Sequence, residues 1–263
     1  MPGVYTQYRF GIEMLPAMPG DTRRSIQRFR RLYDVGLHGP DIFKYQLQLV
    51  KNNTSRLDQK FLAQSGQDFF QRVCRMSRLE KSEAYHAYIY GLLCCFSINS
   101  ALTPILQEHA QKRNIPKAEI ETEFDRFLLE KDGKIPACTQ DLSPHLKLTP
   151  GEHETVARFY PPAKAGAVRD SLKNMTRVMK LLASPEGMRR SLLGKGMGIA
   201  GENVRAMFMT AEPNPRCAEL NEALFEAYQQ AKERFPDMLQ QLQEHLTYNA
   251  DLEESFARNF LGE

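Results

Sequence analysis

The chain lacks most of the signals that would point away from a helical protein. Period-2 alternation of apolar and polar residues is scarce in its 263 residues, and no Asn-Gly or Asp-Gly pair joins two apolar runs as a hairpin turn would. Helical spacing recurs throughout, so an all-α fold is expected. There is no low-complexity tract, and a hydrophobic share of 42% is enough for one substantial core. A single domain over residues 1–263 follows. The basic excess is slight, 35 Lys and Arg against 32 Asp and Glu, which gives no reason to expect a nucleic-acid partner.

Long apolar runs are missing too. A membrane span needs about eighteen consecutive apolar residues, whereas the longest run here, Ala87 to Ile98, is broken by Gly91. A buried helix is expected there, with no span. The five cysteines (Cys74, Cys94, Cys95, Cys138, Cys217) form no C-x-x-C pair, are odd in number and follow no signal-peptide pattern. They read as reduced thiols of a cytoplasmic protein, which leaves the Asn-x-Thr matches at Asn52 and Asn174 without meaning. No H-x-x-x-H or H-E-x-x-H occurs. His38, His86, His109, His145, His153 and His245 are scattered and read as ordinary histidines.

What is present centres on residues 84–126. Positions four apart stack on one helix face, so Cys95, Asn99 and Thr103 form one ladder and Lys117, Glu121 and Asp125 a second. That geometry suits a metal cluster between two helices. The residue types mostly do not, because zinc takes about four imidazole, thiolate or carboxylate donors. Cys95 is a possible thiolate donor or nucleophile, or simply a buried cysteine. Lys117 is either an exposed partner of Glu121 or a cation reaching both Glu121 and Asp41.

Several stretches resemble the zinc-dependent phospholipase C family, in its bacterial members without an export signal. GLLCCFSINSALTP is similar to the family's first-ladder segment through Gly91, Leu93, Cys94, Phe96, Ser100 and Pro104; IETEFDRFLL is similar to its second, from Ile120 to Leu129. YTQYRFG (Tyr5 to Gly11) resembles its N-terminal motif, GLHGPDIFKY (Gly36 to Tyr45) its glycine-proline turn, and LDQKFLAQSGQDFF (Leu57 to Phe70) a further ligand segment. The likeness is strong over residues 1–130 and loose over 131–263.

The resemblance implies a multi-helix bundle of the phospholipase C and P1 nuclease type. It also implies metal-ligand positions at Gln7, Asp41, Leu62, Cys95, Asn99, Thr103, Lys117 and Glu121. Only Asp41 and Glu121 keep a family-type ligand, and Leu62 has no lone pair to offer. The expectation is a phospholipase C-like scaffold without a resident cofactor, inactive and binding a small anion, a phospholipid headgroup or a protein. The alternative is an active zinc phosphodiesterase with Asp41 in its site, so its standing as an enzyme is left open.

Elsewhere the readings are plainer. RRSIQRFRRL (residues 23–32) is either a polyanion-binding or membrane-surface cluster, or the wet face of an amphipathic helix. The stripe Val168, Leu172, Met175, Val178, Met179 and Leu182 reads as core. Residues 132–153 read as a loop between two helical halves. Gly196-x-Gly198-x-x-Gly201 follows no strand and reads as a loop, not a phosphate cradle. Helices are expected from Arg216 to Arg234 and from Pro236 to Tyr248, and SFARNFLG resembles the last helix of the phospholipase C family.

Overall fold

A computed structural model describes residues 2–45, 56–183 and 205–263. The fold is all-α, with no strand among the described residues. The GxGxxG segment and Asn52 lie outside the described residues.

The bundle is built around one long helix, α6 (Glu83–Arg113), which is buried along most of its first five turns. By length and composition α6 is apolar enough to cross a membrane, but 78% of its most apolar window is covered by the protein itself. The covering elements are α1 (Val4–Met14), α2 (Gly20–Arg28), α3 (Arg30–Gly36), α5 (Gly66–Glu80), α7 (Lys117–Lys131) and α10 (Leu220–Tyr248). Shorter helices complete the set: α4 (Leu57–Leu62), α8 (Pro150–Arg158) and α9 (Ala165–Leu182).

Gly91, which broke the apolar run, marks the closest crossing. A Cβ there would lie 2.3 Å from the Tyr33 carbonyl oxygen, and one at Gly36 would lie 2.7 Å from the Tyr88 carbonyl oxygen. Two facing glycines let α3 rest backbone to backbone on α6. The chain then turns at Gly39, whose φ of +50° is the left-handed conformation that glycine adopts without cost. A 3₁₀ segment, Gly39–Tyr45, carries Asp41 on from there.

The basic stretch 23–32 folds as α2 and α3, with Ile26 and Leu32 buried. Four of its five arginines are paired with acids: Arg24 with Asp21, Arg28 with Glu83 at 3.2 Å, Arg30 with Asp34 at 2.7 Å and Arg31 with Glu152 at 3.1 Å. It is the wet face of an amphipathic pair. The apolar stripe of α9 is core as expected, with Val168, Leu172, Met175 and Met179 buried.

Two boundaries differ from the sequence reading. α10 runs unbroken through Pro236, because Phe235, Met238, Leu239 and Leu242 on either side of it are all buried and hold one axis. SFARNFLG forms only a 3₁₀ turn (Glu254–Phe256) and loops, because Phe256 and Phe260 insert into an aromatic cluster with Phe69, Phe70 and Phe96. Packing of those two rings takes precedence over helical continuation.

Candidate functional site

The floor of the site is a buried chain of hydrogen bonds joining four elements. Gln7, on α1, donates its Nε2 to Asp41 Oδ2 at 2.9 Å and to Asn99 Oδ1 at 3.1 Å. Its Oε1 pairs with His38 Nδ1 at 2.8 Å, and His38 Nε2 lies 2.7 Å from His145 Nε2. Asn99 turns its Nδ2 to Cys95 Sγ at 3.4 Å.

Hydrogen-bond polarity orients the whole chain. With the Gln7 amide nitrogen directed at a carboxylate, its oxygen must accept, so His38 carries its proton on Nδ1. His38 Nε2 is then the acceptor and His145 Nε2 the donor. Both rings are neutral in this arrangement. Burial, then the neighbouring imidazole, pushes His38 well down; burial pushes His145 down to about 4.

Asp41 ends this chain. It is 7% exposed, and its Oδ1 is buried without a partner among the described residues. Burial raises its pKa, an effect offset first by the charge of Lys44, then by that of the N-terminal ammonium and then by the Gln7 amide. Of the two readings of Lys117, the pairing with Glu121 is the one observed: its Nζ lies 3.9 Å from Glu121 Oε1, partly exposed. The positive charges acting on Asp41 are those of Lys44 and the N-terminal ammonium.

Asp125 has a structural task. Its Oδ2 accepts from the Tyr5 N–H at 3.0 Å, and its Oδ1 accepts from the Thr6 N–H at 2.8 Å and the Thr6 hydroxyl at 2.6 Å. These are the first-turn donors of α1, whose N-cap residue Gly3 has no side chain to offer. α7 thus caps α1 from outside, and burial pushes the Asp125 carboxyl up to about 6. The next residue, Arg126, makes a bidentate pair with Glu123 at 2.7 and 2.8 Å. Glu123 also accepts from the Asn214 N–H and from Asn221 Nδ2, so the E-F-D-R run ties α7 to both ends of the bundle.

Above the floor opens a small cleft of about 100 Å³. Gln7, Asp41, Lys44, Glu121 and Asp125 form its polar side; Leu142, Met175, Met179, Leu182, Met207 and Met209 form an apolar wall.

The eight expected ligand positions therefore separate. Gln7, Asp41 and Glu121 reach the cleft, while Cys95 and Asn99 lie behind Gln7 in the buried chain. Thr103 is buried, with its hydroxyl unpartnered. The Leu62 side chain is buried and its carbonyl accepts from the Phe260 N–H at 3.1 Å, in the aromatic cluster. Lys117 does not line the cleft. Cys95 is fully enclosed, and burial holds its thiol far up, so it is protonated near neutrality.

As a zinc site this donor set does not fit. The Gln7 Nε2–H donors point at the oxygens a cation would need, and no group of three His, Cys, Asp or Glu side chains gathers among the described residues. His38 and His145 were missed from the sequence. His38 stood within the glycine-proline turn, but its partner is 107 positions away in a proline-rich loop, where no local spacing signals it.

Compared with family models, curated proteins and solved structures, the chain matches none.

Proposed function

We propose that this chain is a phospholipase C-like bundle whose metal site has been rebuilt as a hydrogen-bonded polar floor. On this reading it acts by holding a small molecule in the cleft over Asp41, and it does not hydrolyse phosphodiesters through zinc. The supporting observation is the Gln7 amide, which donates to Asp41 and Asn99 from the position that the resemblance assigns to a ligand histidine. A catalytic zinc needs donors, an open coordination position and a water it can activate. An amide N–H delivers the opposite polarity to the same carboxylate.

The test is elemental analysis of the purified, untagged protein beside hydrolysis of bis(4-nitrophenyl) phosphate with and without added zinc. Substoichiometric zinc and no zinc-dependent turnover are expected. Two or more tightly held zinc ions together with turnover would establish the hydrolase reading instead.

A further inference from the structure

Two helices carry rows of opposite charge with one spacing. On α9, Arg169, Lys173, Arg177 and Lys180 are exposed and stand four, four and three positions apart. On α10, Glu222, Glu226, Gln230 and Glu233 are exposed at the same intervals, and Asp237 extends the row by a further turn. Each four-residue row falls within an arc of about 80° and spans about 17 Å. Each also lies opposite the face its helix buries, through Val168, Leu172, Met175 and Met179 on α9 and through Leu224, Tyr228, Ala231 and Phe235 on α10. The two helices are packed on different neighbours: α9 on α8 and the Gly39–Tyr45 segment, α10 chiefly on α5, α6 and α7.

Neither row is neutralised where it stands. Arg169 is paired with Asp170 at 2.9 Å and Arg177 reaches Asn174 at 3.4 Å, while Lys173 and Lys180 enter no ion pair among the described residues. The exposed Glu154 of α8 and Asp170 together still leave the α9 face basic. Ion pairs at α10 use other residues, Lys232 with Glu13 at 2.8 Å and Glu219 with Arg113 at 3.2 Å; Glu222, Glu226, Glu233 and Asp237 enter none among the described residues. Counting against them the exposed Arg234 and Lys131, which lies 4.7 Å over the Phe225 ring, leaves that face acidic.

Like charges four apart on a helix repel and destabilise it. The helix dipole compensates Lys180 in the last turn of α9 and Glu222 in the first turn of α10. Arg169, Lys173 and Asp237 stand away from those favourable ends and gain nothing from it. A surface of opposite charge removes the cost, and with equal spacing each row is the complement of the other. The net charge of +3 is too small to hold copies of the chain apart.

We propose that the basic face of α9 docks on the acidic face of α10 of a second copy of this chain. Because two different surfaces meet, the contact is made twice in a two-fold dimer or repeats head to tail. Ion pairs at a solvated surface are individually weak and are screened by salt, so the association is reversible and favoured at low ionic strength. It is independent of what occupies the cleft.

Analytical ultracentrifugation of the full chain over a range of concentrations, in about 20 mM and about 500 mM sodium chloride, tests the proposal. Self-association is expected at low salt and should weaken about ten-fold or more at high salt. Lys173→Glu with Lys180→Glu, and separately Glu226→Lys with Glu233→Lys, change exposed residues outside any ion pair and should each give a folded monomer at low salt, the fold being checked by its melting point. Mixing the two reversed proteins should restore association, because acidic α9 then meets basic α10 and basic α9 meets acidic α10. A wild-type monomer at every concentration, association that survives both reversals, or a mixture that stays monomeric would overturn the proposal. Binding of the wild-type monomer to phosphatidylglycerol vesicles through Lys173 and Lys180, without self-association, would overturn it in favour of a lipid surface.

Discussion

Gly91→Ala isolates the crossing on which the site is hung. In an isolated helix the change would stabilise, since alanine is favoured over glycine by about 1 kcal/mol in a helix interior. Here the new methyl group would lie 2.3 Å from the Tyr33 carbonyl oxygen and 2.9 Å from Gly36 Cα, both of them backbone atoms with no rotamer to change. Relief requires α3 to move off α6 by roughly 1 Å, since real Cβ contacts begin near 3.4 Å. Overpacking of this kind costs about 1–3 kcal/mol and at backbone contacts more, so the steric cost exceeds the propensity gain.

The expected result is a net loss of about 1–3 kcal/mol, read as a melting point lowered by roughly 3–10 °C for a domain of this size. Gly166→Ala, on α9 where a methyl group meets nothing within 4 Å, is the control and should be neutral or slightly stabilising. Differential scanning calorimetry of the two variants decides the matter: a Gly91→Ala melting point at or above wild type would refute the close-crossing argument.

Two further outcomes follow from the buried chain. Gln7→Leu keeps volume but leaves Asp41 Oδ2, Asn99 Oδ1 and His38 Nδ1 without their partners, and should cost about 2–5 kcal/mol in urea denaturation; a loss below about 1 kcal/mol would mean the network relaxes freely. His145 is held down to about 4 from an ordinary 6.5, so the unfolded chain takes up its proton first, and stability should fall as pH drops from 6.5 toward 4. His145→Gln, which keeps an N–H for His38, should flatten that part of the stability-against-pH curve; an unchanged slope would place its origin elsewhere.

The helical class, the burial of the apolar run around Gly91 and the wet arginine face of α2 and α3 were all legible from residue order, because each depends on periodicity within one element. The glycine-proline turn before Asp41 was legible as well, while a ligand role for Asp41 came only from the resemblance. Ligand positions read from helical ladders were less secure guides, since a ladder specifies which residues share a face and not what that face meets. Thus Leu62 belongs with the aromatic cluster, Lys117 stays beside Glu121, and Cys95 and Asn99 stand behind Gln7.

By itself, then, the order of residues determined a helical bundle with a carboxylate after a glycine-proline turn and too few zinc donors around it. Only the tertiary structure decided what completes that carboxylate: an amide from the first helix, an imidazole pair spanning 107 positions, the charge of Lys44 and one oxygen left without a donor. The reason is that hydrogen-bond partners and fields depend on distance in space, and once helices cross, distance along the chain no longer predicts it.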